Sequence, residues 1–376
     1  MKLGNYQVKL EKKLSVGGWE AAGISILAIL IALVLVSVIF LEAKVNPLDG
    51  FTSIFTYAFA DQFGVPLTIN RSIFILLCTC AFIVPSKAGL WNIGMAGQLY
   101  GGALAAFGVA YAFGAGASGA QKLTLAPGII IPLMMIGAAI GGALVGSIPG
   151  FLKGRFNTNE IVVTMMLNSV AFWIVAFMIK DGGLFMGAGG EGEGFILPKS
   201  LYAPQILGGP YTILLALVLA GFLYFMFAKM KIGYQIKTYG LSPSAAKYAG
   251  ISPYNIPLLV FIIGGLLAGL AGYHLFAANP GVYKITQNYG DFGDLSFYGI
   301  ICGLISLENP LAAIPIALLF GGLTSGARYV QGMMRMGFGV DYAMLGILMI
   351  TLVAFQFFYR NKIVWKKSSE KEKENA

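Results

Sequence analysis

Residues 129–148 read IIIPLMMIGAAIGGALVGSI, twenty consecutive positions without a charge. A bilayer core about 30 Å thick is crossed by roughly 20 apolar residues in a helix, which satisfies its own backbone groups. Small residues recur along the run, in pairs such as Gly137 with Gly141 and Gly142 with Gly146. That spacing lets a second helix backbone approach closely. The stretch therefore predicts a membrane-spanning helix with a packing face. A similar pattern, GGLLAGLAG (Gly264–Gly272), predicts a second one, and packing is the role expected for nearly all of these glycines.

The rest of the chain is built the same way. Its 376 residues are 57% hydrophobic and 11% charged, against about 25% charged in a soluble domain. Mean hydropathy is +0.79. Ten spans are expected, at about 21–41, 70–86, 93–113, 129–150, 158–180, 211–230, 256–277, 293–306, 310–327 and 341–360. The fold class is therefore all-α, a polytopic membrane protein with about ten transmembrane helices. The second and eighth runs are short, and short or glycine-broken segments in transporters often line the pathway. The first run is longer than a signal-peptide core and no small-x-small cleavage site follows it, so it is expected to be a retained span. Three expected regions result: a cytoplasmic segment 1–20, a transmembrane domain 21–360 and a charged tail 361–376.

The net charge of +9 could suggest nucleic acid, but the charges lie in the tails and short connections. With the N-terminus inside, seventeen Lys and Arg residues fall inside and eight outside, which obeys the positive-inside rule. Both termini are expected in the cytoplasm of a cell-membrane protein, with lipid rather than nucleic acid as the contact. Cys78, Cys80 and Cys302 lie in apolar runs and suggest membrane-packed thiols. A single histidine, His274, rules out a histidine-based metal centre, so no metal and no cofactor are expected. Two G-x-G-x-x-G matches, Gly114–Gly119 and Gly187–Gly192, fall between spans and lack the strand-to-helix context of a dinucleotide site. No G-x-x-x-x-G-K-[ST] is present, so any ATP hydrolysis belongs to a separate polypeptide.

Two connections are long. The outer loop 181–210 carries MGAGGEGEG, expected to be flexible and acidic. The inner loop 231–255 is basic and contains KTYGLSPSAAKYAGI (Lys237–Ile251). Ser242 suits a helix cap and Pro243 a first turn, while Gly250 lies where a helix would stop. The result would be a short surface helix with a face of small residues, either a docking element or an ordinary connector. Gly240, Ser244, Ala245, Ala246, Gly250 and Ile251 are the candidate residues of that segment.

Polar groups inside the spans are few and neutral. Asn92 and Gln98 lie in GLWNIGMAGQLYGGALAA (Gly89–Ala106), and Asn168 in MMLNSV. These three are the candidate substrate-pathway residues; hydrogen bonds between helices and direct substrate contact both remain open for each. Glu160 sits at a span's inner end and Glu308 in a short turn before Pro310. Neutral amides suit an uncharged, hydrogen-bonding substrate, because a charged one would ask for buried counter-charges. A nucleoside and a sugar both fit. An ion-coupled secondary transporter would usually need intramembrane carboxylates, which the spans hardly offer.

Four segments, in register from about Asn46 to Tyr359, resemble one family. SAAKYAG is similar to the E-A-A-x-x-x-G coupling loop of ABC importer permeases, with Ser244 in place of glutamate. AGLWNIGMAGQLYGGALAA resembles the N-I-G-x-E-G-Q segment of the branched-chain amino acid, ribose and nucleoside permeases, with Ala96 in place of glutamate. NEIVVTMMLNSVA (Asn159–Ala171) resembles a segment of the larger permease subunit of nucleoside importers. SFYGIICGLISLENPLAAIPIALLFGGL (Ser296–Leu323) resembles the family's G-x-N-N-P segment. The resemblance implies two inverted five-helix repeats, a second homologous permease subunit, cytoplasmic ABC ATPases and an extracytoplasmic substrate-binding lipoprotein. It also implies transport by alternating access, without an enzymatic site in this chain. A receptor would meet outer loops including 278–294, with Asp291 and Asp294.

Overall fold

The computed structural model describes every residue except 1, 4–5, 13–17, 117–122, 189, 207–208, 287–288 and 368–376. In chain order the elements are β1 (Lys2–Leu3), β2 (Tyr6–Lys12), α1 (Gly18–Glu42), α2 (Pro47–Ala60), α3 (Gly64–Lys87), α4 (Met95–Ala112), α5 (Pro127–Phe156) and α6 (Glu160–Ile179). Then follow β3 (Met186–Gly187), β4 (Gly190–Gly194), β5 (Gln205–Ile206), β6 (Gly209–Pro210), α7 (Thr212–Lys229), α8 (Lys231–Leu241) and α9 (Pro243–Tyr248). The chain ends with α10 (Asn255–Tyr273), which runs into a π-helical turn His274–Ala278, α11 (Tyr289–Ile305), α12 (Ala313–Met333), α13 (Val340–Arg360) and β7 (Asn361–Lys367).

Helices occupy all ten expected segments. Among the described residues, six of them are long and apolar enough to cross a membrane: α3, α5, α6, α7, α10 with its π turn, and α12. A broken pair formed by α1 and α2 makes a seventh if it is one span, and α11 and α13 are shorter apolar helices. The protein is thus an all-α, multi-pass membrane protein with little sheet. α3 begins six residues earlier than its apolar run, because Asp61 Oδ1 accepts the Phe63 and Gly64 N–H groups at 2.8 and 3.0 Å and starts the helix there.

The chain divides into two compact units, Met1–Ser53 with Ala327–Ala376, and Ile54–Gly326. In the first, α1 packs on α13. β2 pairs antiparallel with β7, from Tyr6↔Lys367 to Lys12↔Asn361, so the two chain ends lie side by side. Part of the expected charged tail is therefore a strand; the remainder, residues 368–376, lies outside the described residues. YQVKLEK alternates apolar and polar residues, a strand period too short to register in hydropathy.

In the second unit α3 and α10 are mostly buried, whereas α5 and α6 expose much of their length. Backbone crossings are made at glycine. A Cβ on Gly142 of α5 would collide with the Gly265 carbonyl of α10, and one on Gly102 of α4 with Gly269. The same close approach joins α3 to α11 at Gly299, against Cys78, and to α12 at Gly321, against Ser72. Thus α10 packs on α4 and α5, α3 packs on α11 and α12, and α3 and α10 pack on each other.

The outer loop departs from the expected flexible acidic stretch. β3 and β4 form a hairpin. β4 is tied to the 283–286 segment by Gly194 N–H donating to Ile285 O at 2.7 Å and by a Lys284–Glu193 ion pair at 2.6 Å. Tyr202 and Tyr283 stack with ring centroids 3.5 Å apart. Gly192, inside β4 where the pairing with β3 shifts register, has a left-handed φ of 86°, which glycine adopts without strain. Asp291 and Asp294 fall within α11, and their side chains lie outside the described residues.

Candidate functional site

The neutral amides expected in the spans converge on the start of α4. Asn92 Nδ2 donates to Gln98 Oε1 at 2.9 Å, and Gln98 Nε2 donates back to Asn92 Oδ1 at 3.1 Å. Both side chains are buried, and the reciprocal pair satisfies the groups that hydrocarbon penalises. Asn168 reaches over from α6: its Oδ1 accepts the Gly97 N–H at 2.7 Å and its Nδ2 donates to Ile93 O at 3.1 Å. The first N–H groups of a helix have no partner within it, so Asn168 acts as a cap supplied by a neighbouring helix. α6 can come this close because α4 begins with glycines. A Cβ on Gly94 would stand 2.8 Å from Thr164 Cβ, and one on Gly97 would stand 2.9 Å from Leu167 O. Ala96, where the resembling family has glutamate, is buried too.

Where α10 runs into its π-helical turn lies a second polar group that the sequence reading passed over. His274 is buried; its Nε2 is 2.9 Å from Asn70 O and its Nδ1 2.7 Å from Thr212 Oγ1. A carbonyl can only accept, so Nε2 carries the proton, and in the neutral ring Thr212 donates to Nδ1. Beside it Tyr211 and Tyr273 share a hydrogen bond of 2.9 Å, and Tyr211 donates to Met135 Sδ at 2.8 Å. Two neighbouring hydrogen-bonded groups thereby tie the end of α10 to α3 and α7 through His274, and to α5 through Tyr273 and Tyr211. The available signal was a lone histidine within an apolar run, which by default marks a functional position in a membrane.

The segment between α7 and α10 is organised around α8 and α9. Ser242 Oγ accepts the Ala245 N–H at 3.2 Å and so caps α9, with Pro243 in its first turn. Gly250 ends the helical segment at φ +75°, with open space where a Cβ would stand. Ala246 and Ile251 are buried and anchor the segment, whereas Ser244, Ala245 and Gly250 are exposed. Leu241, the last residue of α8, and Tyr248, the last residue of α9, are 89% and 95% exposed. Those are large apolar side chains without cover.

α8 holds the segment to the bundle. Lys237 Nζ donates to Phe227 O, at the end of α7, at 2.7 Å. A Cβ on Gly240 would collide with the Lys87 carbonyl at the end of α3. Burial, with the Glu160 carboxylate as a second cause, raises the Tyr239 phenol above its ordinary pKa. Glu160 pairs with Lys153 at 3.0 Å across the α5–α6 turn, and Glu308 pairs with Lys87 at 3.3 Å. The six candidate coupling residues thus fall in one segment held against the ends of α3 and α7, while Asn92 and Gln98 follow the α3–α4 turn and Asn168 meets that stretch from α6.

Comparison with known proteins agrees with this architecture. The family model described as the branched-chain amino acid transport system permease component matches residues 67–353. The chain is 28% identical over 377 residues to a glucose ABC transporter permease protein of Haloferax volcanii, covering 96% of this chain and 94% of that one. It is 28% identical to a nucleoside ABC transporter permease protein of Lactococcus lactis (81% of this chain, 83% of that one). Identity to a guanosine ABC transporter permease protein of Bacillus subtilis is 29% (81% and 85%). No solved structure matches. The chain belongs to the branched-chain amino acid transport system permease component family, as an ABC importer permease and not itself an enzyme.

Proposed function

We propose that the chain is one half of the membrane domain of a nucleoside importer, driven by separate ATPases on its cytoplasmic side. The observation that carries the reading is the chemistry of the interior. Among the described residues of the larger unit, the buried polar side chains are amides, hydroxyls and one imidazole, with no carboxylate, ammonium or guanidinium. Such a lining matches a neutral solute rich in hydrogen-bonding groups, because a charged one needs buried counter-charge. Relatives named for nucleosides and guanosine support the choice. A sugar is the second reading, favoured by the glucose permease relative that matches nearly end to end. Calorimetric binding of guanosine, adenosine and glucose to the cognate receptor protein separates the two; glucose binding alone would overturn the nucleoside reading.

In this reading ten helices span the bilayer as two inverted five-helix repeats. The exchanged packing supports it: α3 meets α11 and α12 as α10 meets α4 and α5. Pairing of β2 with β7 supports an even number of spans with both ends on one side of the membrane, which the positive-inside rule makes the cytoplasmic side. A second homologous subunit completes the pathway, and an extracytoplasmic lipoprotein delivers substrate to the outer loops. Closure of the ATPases pushes on α9, with Leu241 and Tyr248 seated in a groove of the ATPase. Asn92, Gln98 and Asn168 form the inner polar wall of the pathway, where their engaged amides hold the α4 start in the conformation described here.

A further inference from the structure

Among the described residues, two acidic side chains at the inner ends of the helices are ion-paired, and one of them is built into an unusual turn. Leu307 and Glu308, which join α11 to α12, are both left-handed, with φ of 52° and 57°. Neither is glycine, and left-handed backbone at an ordinary residue persists only where its surroundings enforce it. The turn is closed by its own bonds: Glu308 N–H donates to Gly303 O at 2.9 Å and Asn309 N–H to Ser306 O at 3.0 Å. Asn309 Oδ1 then accepts the Leu311 N–H at 3.1 Å. The effect is to present the Glu308 carboxylate to the last two residues of α3. Ser86 Oγ donates to Oε1 at 2.6 Å, and Lys87 Nζ lies 3.3 Å from Oε2. Both oxygens are engaged, and the pair is about three-quarters shielded from solvent.

The other side of the same α3 terminus is where the coupling segment rests. Gly240 of α8 touches the Lys87 carbonyl and Ala88, and the left-handed Gly89 faces Gly240 in return. A push on α8 therefore meets the backbone of Lys87 directly, with no side chain in between to yield. What moves with Lys87 is then set by its other attachment. Glu308 fastens that terminus to the α11–α12 turn, so a displacement of α3 carries α11 and α12 with it. Without the carboxylate, this end of α3 loses its polar tie to the turn and only the helix packing at Gly299 and Gly321 links it to α11 and α12.

We propose that Glu308, with Ser86 and Lys87, is a positioning residue of the transport cycle: a pin through which movement of α8 and α9 reaches α3, α11 and α12 together. The proposal rests on the coupling reading above and adds the route by which the movement travels. In a complex of this chain with its partner subunit, ATPase and receptor in proteoliposomes, E308Q should assemble and keep wild-type basal ATP hydrolysis. Uptake per ATP hydrolysed should fall about fivefold or more, the lower range of coupling energies between sites. The exchange K87E/E308K should restore at least half of that ratio, which a merely structural loss would not do. If E308Q fails to assemble, the exchange decides alone, compared with K87E. An unchanged ratio in E308Q, or an exchange no better than its parts, overturns the proposal. Failure of the coupling reading itself looks different: substituting Tyr248 and Leu241 by serine would then leave both ATP hydrolysis and uptake as in wild type.

Discussion

Replacing Asn168 by leucine separates a residue that holds two helices together from one that holds substrate. Leucine keeps the branched outline of asparagine without its polar groups and is the larger side chain, so the change removes hydrogen bonds without opening a cavity. It strands the Gly97 N–H, bonded at 2.7 Å, and the Ile93 carbonyl, bonded at 3.1 Å. Asn168 is only 6% exposed, so water does not readily take its place. Interhelical hydrogen bonds in bilayers average about 0.6 kcal/mol, which sets a floor near 1 kcal/mol for two. An unsatisfied buried group costs about 1–3 kcal/mol, which sets a ceiling of about 6 kcal/mol for two. Carbonyls tolerate loss of a partner better than N–H groups do, because they carry two lone pairs. The expected loss is therefore about 2–3 kcal/mol, or a factor of at least about 30 in the folding equilibrium. Reversible denaturation of the purified chain in mixed micelles, followed by circular dichroism, measures it without substrate. Stability within about 0.5 kcal/mol of wild type, together with a raised KM for uptake, would refute the capping role and make Asn168 a substrate contact.

The helix crossings and the surface helix give further expectations. Gly142→Val should prevent a folded chain from accumulating in the membrane, measured by fluorescence-detected gel filtration, because its side chain meets the Gly265 carbonyl; Gly221→Val, with open space, should be tolerated. Ser242→Ala removes the α9 cap and should cost about 1 kcal/mol of local helix stability, read as faster amide exchange over residues 243–249. His274→Gln should keep more of the hydrogen bonds to α3 and α7 than His274→Leu, because its amide can still donate to Asn70 O, and uptake rates of the two variants should rank accordingly. Tyr248→Ser with Leu241→Ser should weaken copurification of the ATPase at least tenfold while the chain itself stays monodisperse.

Six of the ten expected spans are helices long and apolar enough to cross a membrane, legible because twenty-residue apolar runs admit few alternatives; the α9 cap was legible because Ser-Pro before an alanine-rich stretch is a local signal. The glycines of α5 and α10 also declared their purpose, since small residues at four-residue spacing in a span mean close packing, and Gly142 does meet Gly265. What stayed hidden was long-range. Nothing near Asn168 says that its amide caps the start of α4, 71 positions away from Gly97. Glu308 looked like a loop residue because its partners, Ser86 and Lys87, are more than two hundred positions distant. The outer loop read as flexible because glycine and glutamate dominate it, yet the Ile285 backbone and Lys284 hold it. Terminal strands escaped notice for a similar reason, as strand pairing between residues 6–12 and 361–367 has no local signature beyond a brief alternation.

Uptake by reconstituted vesicles tests the central claim most directly. The chain, its partner permease, the ATPase and the receptor are placed in proteoliposomes, and labelled guanosine is offered outside with ATP enclosed on the cytoplasmic face. Accumulation that requires ATP and receptor and survives ionophores that collapse every ion gradient is the expected result. Accumulation abolished by the ionophores, with ATP hydrolysis unaffected by guanosine and receptor, would contradict it.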